Sequence, residues 1–240
     1  MATHGRYRDV CVSLACFLQQ SYPNRELVIL NNHPEPLHFV HPLVRICNEP
    51  GHPTLGDCRN RLLELAAGEF VRTWDDDDFY LPWTLTQGVE HIRGHAAWKP
   101  ARSWFLNGDD PARLTGNSME ASILFRADVV RKYGYGPGPG DEHVPLMQKV
   151  AANDDGVVEQ EMGIWSSYAY RWGQGNYHAS GDMSGSPEER TRRWMTANQD
   201  VRPGLALSPN NKQVSRLRRF IARSVPDGER KHWLRQAWEA

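Results

Sequence analysis

The chain has 240 residues, enough for one large domain or for one domain with an appendage. Its 28 Lys/Arg and 29 Asp/Glu leave a formal charge of −1, and no stretch approaches the roughly 18 apolar residues of a membrane span. Composition therefore argues against a transmembrane segment, and the first residues lack the apolar core of a signal peptide.

Cys11, Cys16, Cys47 and Cys58 form no C-x-x-C pair, so neither a zinc knuckle nor a redox motif is indicated, and a reduced, cytoplasmic protein is expected. Charge is uneven. Residues 1–186 hold 16 Lys/Arg against 23 Asp/Glu, a net of −7, whereas residues 187–240 hold 12 against 6, a net of +6. This predicts an acidic body over residues 1–180 and a basic, helical C-terminal extension over 181–240. The partner of that extension would be anionic, a nucleic acid or a membrane surface.

Taken in order, Val10, Leu14, Phe17 and Leu18 stand at helical spacing, and Tyr22-Pro23-Asn24-Arg25 ends that helix. Glu26 to Leu30 reads as a buried strand running into Asn31-Asn32. A helix followed by a buried strand is the rhythm of a parallel sheet with crossovers, hence an α/β fold. Val44-Arg45-Ile46 is a short strand inside a Pro- and His-rich stretch. Thr54 to Asp57 has the pattern of a capping box, with Asp57 reaching back to the Thr54 N–H. It opens a helix that ends near Ala67, with Gly68 as a left-handed cap.

Glu69 to Trp74 then reads as a strand that runs into four consecutive acids, Asp75, Asp76, Asp77 and Asp78, with Pro82 in the first turn of the next helix. Crowded carboxylates raise one another's pKa unless a cation screens them. A strand end that carries acids to the rim of an open α/β sheet is where ligands bind, and hard oxygen donors there suit Mg²⁺ or Mn²⁺ and the phosphates such an ion holds.

Further on, Pro82 to about His95 is expected as helix, Trp98 to Leu106 as one strand, and Asn107 to Pro111 as a hairpin turn. Ala121 to Arg126 follows as strand, and Asp128 to Tyr133 as a helix closed by Gly134. The Gly-Pro loop 134–140 then delivers Asp141-Glu142-His143 to another helix. Val157 to Glu161 reads as strand, Gly173 to His178 as a loop able to cover a ligand, and Gly181 to Pro187 as a hinge. Beyond the hinge, Val214, Leu217, Phe220, Ile221 and Val225 share one helix face, with Arg216, Arg218, Arg219 and Arg223 on the other.

Several of these stretches together resemble the family 2-like glycosyltransferases of GT-A fold, from Thr3 to about His178. Thr3-His4-Gly5-Arg6 resembles the end of the family's opening Pro-Thr-Tyr-Asn-Arg. Gln20-Ser21-Tyr22-Pro23 and the strand after it resemble its "Gln-x-Tyr-Pro, then Glu-Val-Ile-Val-Val-Asp" stretch. Cys58-Arg59-Asn60 through Phe70 resembles "Ala-Arg-Asn … Ala-x-Gly-Glu-Tyr", and Trp74 to Pro82 resembles the Asp-x-Asp metal motif. The resemblance implies a Rossmann-like, mainly parallel sheet flanked by helices, its first strand here shortened to the residues before Thr3.

The resemblance also implies chemistry. A sugar would pass from a nucleoside-diphosphate donor, most simply a UDP-hexose, to an acceptor hydroxyl with inversion. Thr3, Arg6, Asn31, Arg59, Asp75 and Asp76 would line the donor site. Asp75 and Asp77, with His178 as a further candidate, would hold Mn²⁺ or Mg²⁺. Asp141 and Glu142 match the family's acidic pair in reversed order, and Glu142 is the favoured base. The acceptor expected is a glycan or lipid carrier, with the basic tail resting on an anionic membrane. The alternatives are a viral-type enzyme acting on a hydroxymethylated DNA base in the host cytoplasm, or a non-catalytic carbohydrate- or nucleic-acid-binding module.

Overall fold

In the computed structural model, which describes residues 1–138, 141–152, 156–172 and 184–239, the chain order is that of a mixed α/β protein with helices flanking its sheets. The first sheet is parallel: β1 (Ala2–Thr3) and β3 (Val44–Asn48) lie on either side of β2 (Leu27–Asn31). All five residues of β2 are buried, as a continuous apolar strand covered on both faces must be. The second sheet runs β10 (Val157–Gln160), β6 (Ala97–Pro100), β9 (Leu124–Arg126), β4 (Phe70–Arg72). The third runs β5 (Phe79–Tyr80), β11 (Tyr168–Trp172), β7 (Arg102–Asn107), β8 (Arg113–Gly116).

The apolar face of α1 (Tyr7–Leu18) packs Val10, Leu14 and Phe17 into the main core with Ile29, Trp74, Tyr80, Trp83 and Trp104. A second core gathers Leu63 of α2 (Leu55–Leu65), Val130 of α4 (Ala127–Tyr133), and Leu146 and Val150 of α5 (Val144–Ala151) around Phe125. Helix α3 (Thr84–Ile92) covers β6 and β9, where Ile92, Trp98 and Leu124 meet.

Residues after 186 form α6 (Pro187–Thr196), α7 (Asn211–Ala222) and α8 (Asp227–Glu239). Ser186 and Glu189 make a reciprocal capping box at the start of α6. Val214, Leu217, Ile221, Val225 and Trp233 are buried in the same core as α1. No described helix is long and apolar enough to cross a membrane.

Several expectations need correction. Trp98 to Leu106 is two strands in different sheets, because the chain breaks step at Ala101 between β6 and β7. Residues 120–122 form a 3₁₀ turn before β9, so that strand is half the expected length. Pro82 lies just outside α3, whose cap is Trp83.

The α2 capping box is half made. The Asp57 N–H donates to the Thr54 hydroxyl at 3.0 Å, but the Asp57 carboxylate accepts a hydrogen bond from that hydroxyl at 2.6 Å rather than reaching back to the backbone. That helix stops at Leu65, with Ala66 extended at its end, so Gly68 does not serve as its left-handed cap. Gly134 does close α4, with φ +66°. Arg218 is not on the solvent face of α7: it is buried against α1, bonded to Gln19 Oε1.

Candidate active site

The acids form the loop between β4 and β5. Trp74 and Tyr80 fold over each other at its base, with ring centroids 3.8 Å apart and planes 17° from parallel. The Asp75 N–H donates to the Tyr80 hydroxyl at 2.7 Å, and Ser13 Oγ of α1 donates to the Asp75 carbonyl at 3.2 Å. This bracket turns the chain sharply enough to send the four carboxylates to different places.

Asp78 points inward. It is buried, accepts hydrogen bonds from the Tyr168 hydroxyl and, at 3.1 Å, from the Arg171 N–H, and burial holds its carboxyl well above the usual range. Asp76 is equally buried. It accepts from the Thr3 hydroxyl at 2.5 Å and from Arg6 Nη1 at 2.9 Å, so the end of β1 and the start of α1 are tied to the acidic loop.

Asp75 and Asp77 keep access to solvent, with side chains 34% and 17% exposed. Burial pushes Asp76 and Asp77 up to about 6 against the opposing pull of Arg6, and Asp75 is raised by burial against the pull of Arg59.

Arg59 of α2 is the cation on the far side of the loop. Its Nη2 lies 3.2 Å from Asp75 Oδ1, and its Nη1 bonds Glu120 Oε2 at 3.0 Å and Glu142 Oε1. Glu120 is itself held by the hydroxyls of Thr73, at 2.6 Å, and Tyr135, at 2.7 Å. The Tyr135 ring lies 5.4 Å from the Arg59 guanidinium carbon. Three carboxylates on one guanidinium leave a surplus of negative charge in a buried place, which favours an added cation or a proton. Glu142 is 3% exposed, its Oε2 has no hydrogen-bond partner, and burial raises its carboxyl.

Of the residues singled out from the sequence, Thr3, Arg6, Arg59, Asp75, Asp76, Asp77 and Glu142 thus belong to one connected cluster. Asp141 turns away from it, half exposed and paired with Arg190 Nη2 at 2.9 Å. Asn31 is buried at the end of β2, and its amide group braces the next loop by donating to Glu35 O and Asn48 Oδ1, each at 2.9 Å. His178 and the 173–178 loop lie outside the described residues.

Glu120, Tyr135 and Trp194 went unnoticed in the sequence. Glu120 stands 61 positions from Arg59 in a stretch with no motif. Trp194 reaches the site from α6, with its ring 5.3 Å from Arg6 and its carbonyl accepting from Arg6 Nη2 at 3.1 Å.

Among the described residues no three His, Cys, Asp or Glu side chains converge as a ready-made metal centre. The donor set nonetheless fits a hard divalent ion: two solvent-accessible carboxylates with raised proton affinity suit Mg²⁺ or Mn²⁺, which complete their shells with water and phosphate oxygens.

No family model matches the chain, and no curated protein does. Solved structures do. S. aureus TarS 1-349 in complex with UDP-GlcNAc matches at a TM-score of 0.57 and 15% identity, over 99% of this chain and 69% of that one. Another structure of TarS 1-349 matches at 0.55, where this chain spans only 58% of its length. The mannosyltransferase PcManGT from Pyrobaculum calidifontis, in complex with GDP-Man and Mn²⁺, matches at 0.55 and 14% identity, over 81% of this chain and 66% of that one. At such identities the likeness establishes architecture, and the chain has the GT-A glycosyltransferase fold.

Proposed function

We propose that the chain is a metal-dependent glycosyltransferase that moves a hexose from a nucleoside-diphosphate sugar, foremost a UDP-sugar, to an acceptor hydroxyl with inversion. The observation that carries this reading is Arg59, which joins the loop acid Asp75 to the buried carboxylate Glu142. Charge that binds a diphosphate and a base that takes a proton are thereby held side by side, on a fold shared with nucleotide-sugar enzymes.

In this reaction the acceptor oxygen bonds to the anomeric carbon as the bond from that carbon to the diphosphate oxygen breaks. The bonding pair leaves with the diphosphate, and the acceptor proton goes to Glu142. Asp75 and Asp77 would hold Mg²⁺ or Mn²⁺, which when bound neutralises the diphosphate. Arg6 and Thr3 fix Asp76 and so the shape of the loop, while Arg59 positions Glu142 and keeps it close to the acids. Asp141 is the weaker candidate for the base, because Arg190 holds it away from the cluster.

The acceptor we favour is a glycan or lipid carrier. The exposed Arg216, Arg219 and Arg223 row on α7 supports a site next to an anionic surface.

The test has two stages. Melting temperature is measured with a panel of nucleotide-sugars, with and without Mn²⁺, and a metal-dependent rise with at least one donor is expected. The donor so identified is then incubated with glycan, lipid-linked and hydroxymethylated-DNA acceptors, and products are read by mass spectrometry. No metal-dependent shift with any donor would leave a binding module in place of an enzyme.

A further inference from the structure

Helix α6 is held to the rest of the fold mainly by polar contacts. Of its ten residues only Arg190, Thr191 and Trp194 are buried, and Trp194 is the one apolar side chain among them. Trp194 belongs to none of the three apolar cores. By contrast, α7 takes Val214, Leu217, Ile221 and Ala222 out of water. An element that buries so little apolar surface opens at a fraction of the cost of global unfolding.

The contacts that do hold α6 are with residues around the acids. Near its start, Arg190 Nη2 donates to both carboxylate oxygens of Asp141, each at 2.9 Å. Near its end, the Trp194 carbonyl accepts from Arg6 Nη2 at 3.1 Å. The Trp194 ring lies 5.3 Å from the Arg6 guanidinium carbon and 6.4 Å from the His4 ring. The Asn32 amide group donates to the Met195 sulfur at 3.7 Å. In this state Thr3, Arg6, Asn32 and Asp76 are at most 2% exposed.

The consequence for Arg6 is specific. Its Nη1 bonds Asp76 at 2.9 Å and lies 3.7 Å from Asp77, and its Nη2 is spent on the Trp194 carbonyl. A guanidinium beside the acidic loop is suited to a phosphate oxygen, which it binds more strongly than a neutral acceptor. Here it meets a peptide oxygen instead. Trp194 thus offers Arg6 a flat aromatic ring and an oxygen acceptor close together, the two features that a nucleoside diphosphate presents.

We infer that α6 is an autoinhibitory plug: its Trp194 end occupies the Arg6 side of the donor site, and a nucleoside diphosphate reaches Arg6 only by displacing it. The inference rests on the donor site proposed above. The chain beyond α6 is anchored, because the Asp200 N–H donates to Gly5 O at 2.8 Å and Asp200 Oδ1 accepts from the Arg8 N–H at 3.2 Å. The helix therefore turns about the residues just after it, where Ala197 is extended and Asn198 stands at φ +56°. Displacement frees Arg6 Nη2 for a phosphate oxygen and releases Asp141 from Arg190. While the plug is seated, the apparent affinity for nucleotide is reduced by the fraction of molecules that are open.

Two variants move the plug in opposite directions. Asp141→Ala unfastens the start of α6 from a half-exposed position. Gly138→Cys with Pro187→Cys fastens it: a Cβ at Gly138 would lie 3.2 Å from Pro187 Cβ, close to the roughly 3.5–4.5 Å of a disulfide. The probes are UDP and GDP, each with Mn²⁺, read by titration calorimetry, together with amide exchange over α6 without nucleotide. Asp141→Ala should bind at least one of them about fivefold or more tighter than the starting protein, and its α6 amides should exchange about tenfold or more faster. The oxidised double-cysteine form should melt no lower than its reduced form yet bind about tenfold or more weakly, and reductant should restore binding. Equal affinity of the oxidised and reduced forms, or no gain in Asp141→Ala, would overturn the plug and leave the donor site standing. Absence of nucleotide binding in every form, Asp141→Ala included, would overturn both.

Discussion

Arg6 and Asp76, 70 positions apart in the chain, form a buried ion pair at 2.9 Å, with Arg6 1% and Asp76 2% exposed. The contact ties the start of α1 to the acidic loop. A buried pair contributes little net stability over an apolar one, but removing one partner strands the other. Arg6→Ala should therefore destabilise the protein by about 3–5 kcal/mol. Arg6→Met combined with Asp76→Leu should recover much of that loss, as read by urea unfolding.

The raised carboxyls give the metal-free protein a defined pH dependence. Asp76 and Asp77 stand near 6, above the ordinary 3.8, so the folded state binds protons that the unfolded chain has already released. Their contribution to stability is complete below about pH 4 and is lost as pH rises through 6. For the two coupled groups this amounts to about 2–3 kcal/mol, a fall of roughly 5–10 °C in melting temperature. The His4 ring and Met1 amine, which burial holds down to about 4 and about 5, tilt stability the other way. The carboxyl contribution is therefore read as the difference between wild type and Asp77→Asn in scanning calorimetry in EDTA. Mn²⁺ should reverse it, because the ion competes with protons and gains as pH rises.

Much of the order of the elements was legible because local chemistry sets it. The continuous apolar run of β2, the spacing on α1 and the stop of α4 at Gly134 each read directly. The sorting of the four acids was not legible. Their identical side chains are distinguished only by Tyr168, Thr3, Arg6 and Arg59, which arrive from distant parts of the chain. Glu120 escaped for the same reason: its role comes from Arg59, Thr73 and Tyr135 converging on it in space. The split of the Trp98–Leu106 run also lies beyond local pattern, since an apolar stretch does not say in which sheet each half will pair.

The sorting of the acids separates two variants that look alike on paper. Asp78→Asn weakens a buried bond to the Tyr168 hydroxyl and should cost about 1–3 kcal/mol while leaving metal-dependent donor binding in place. Asp77→Asn loses the long ion pair with Arg6 at 3.7 Å but also removes a carboxylate that burial has pushed up to about 6. At neutral pH it should therefore leave stability unchanged or raise it by up to about 2 kcal/mol. It should abolish the Mn²⁺-dependent donor shift. Parallel melts with and without Mn²⁺ and donor decide between them, and loss of the shift in Asp78→Asn alone would reverse the assignment.

The basic row on α7 calls for charge changes rather than truncation. Val214, Ile221 and Trp233 are buried in the main core, so removing residues 187–240 would unfold the protein whatever the tail binds. Arg216, Arg219 and Arg223 are exposed, and replacing all three with Gln should change stability by less than about 1 kcal/mol. Co-sedimentation with anionic vesicles should fall at least fivefold in that variant and weaken with salt. Unchanged sedimentation would remove the membrane surface as the partner of this helix.

Glu142 and Glu120 both bond Arg59 Nη1, yet they should fail differently. Glu142→Gln cannot take a proton, so it should keep donor binding and lower kcat by about 10²–10⁴. Glu120→Gln leaves Arg59 with one fewer negative neighbour, and the guanidinium then acts more fully on Glu142. Since Arg59 already lowers and burial raises the Glu142 carboxyl, the acidic limb of the kcat profile should move down in pH, with a modest loss of rate and about 1–3 kcal/mol of stability. A full pH–rate profile for both variants, with the donor found by thermal shift, separates a base from the residue that positions it. Retained turnover in Glu142→Gln would pass the role to Asp141, which would then have to leave Arg190 to reach the acceptor.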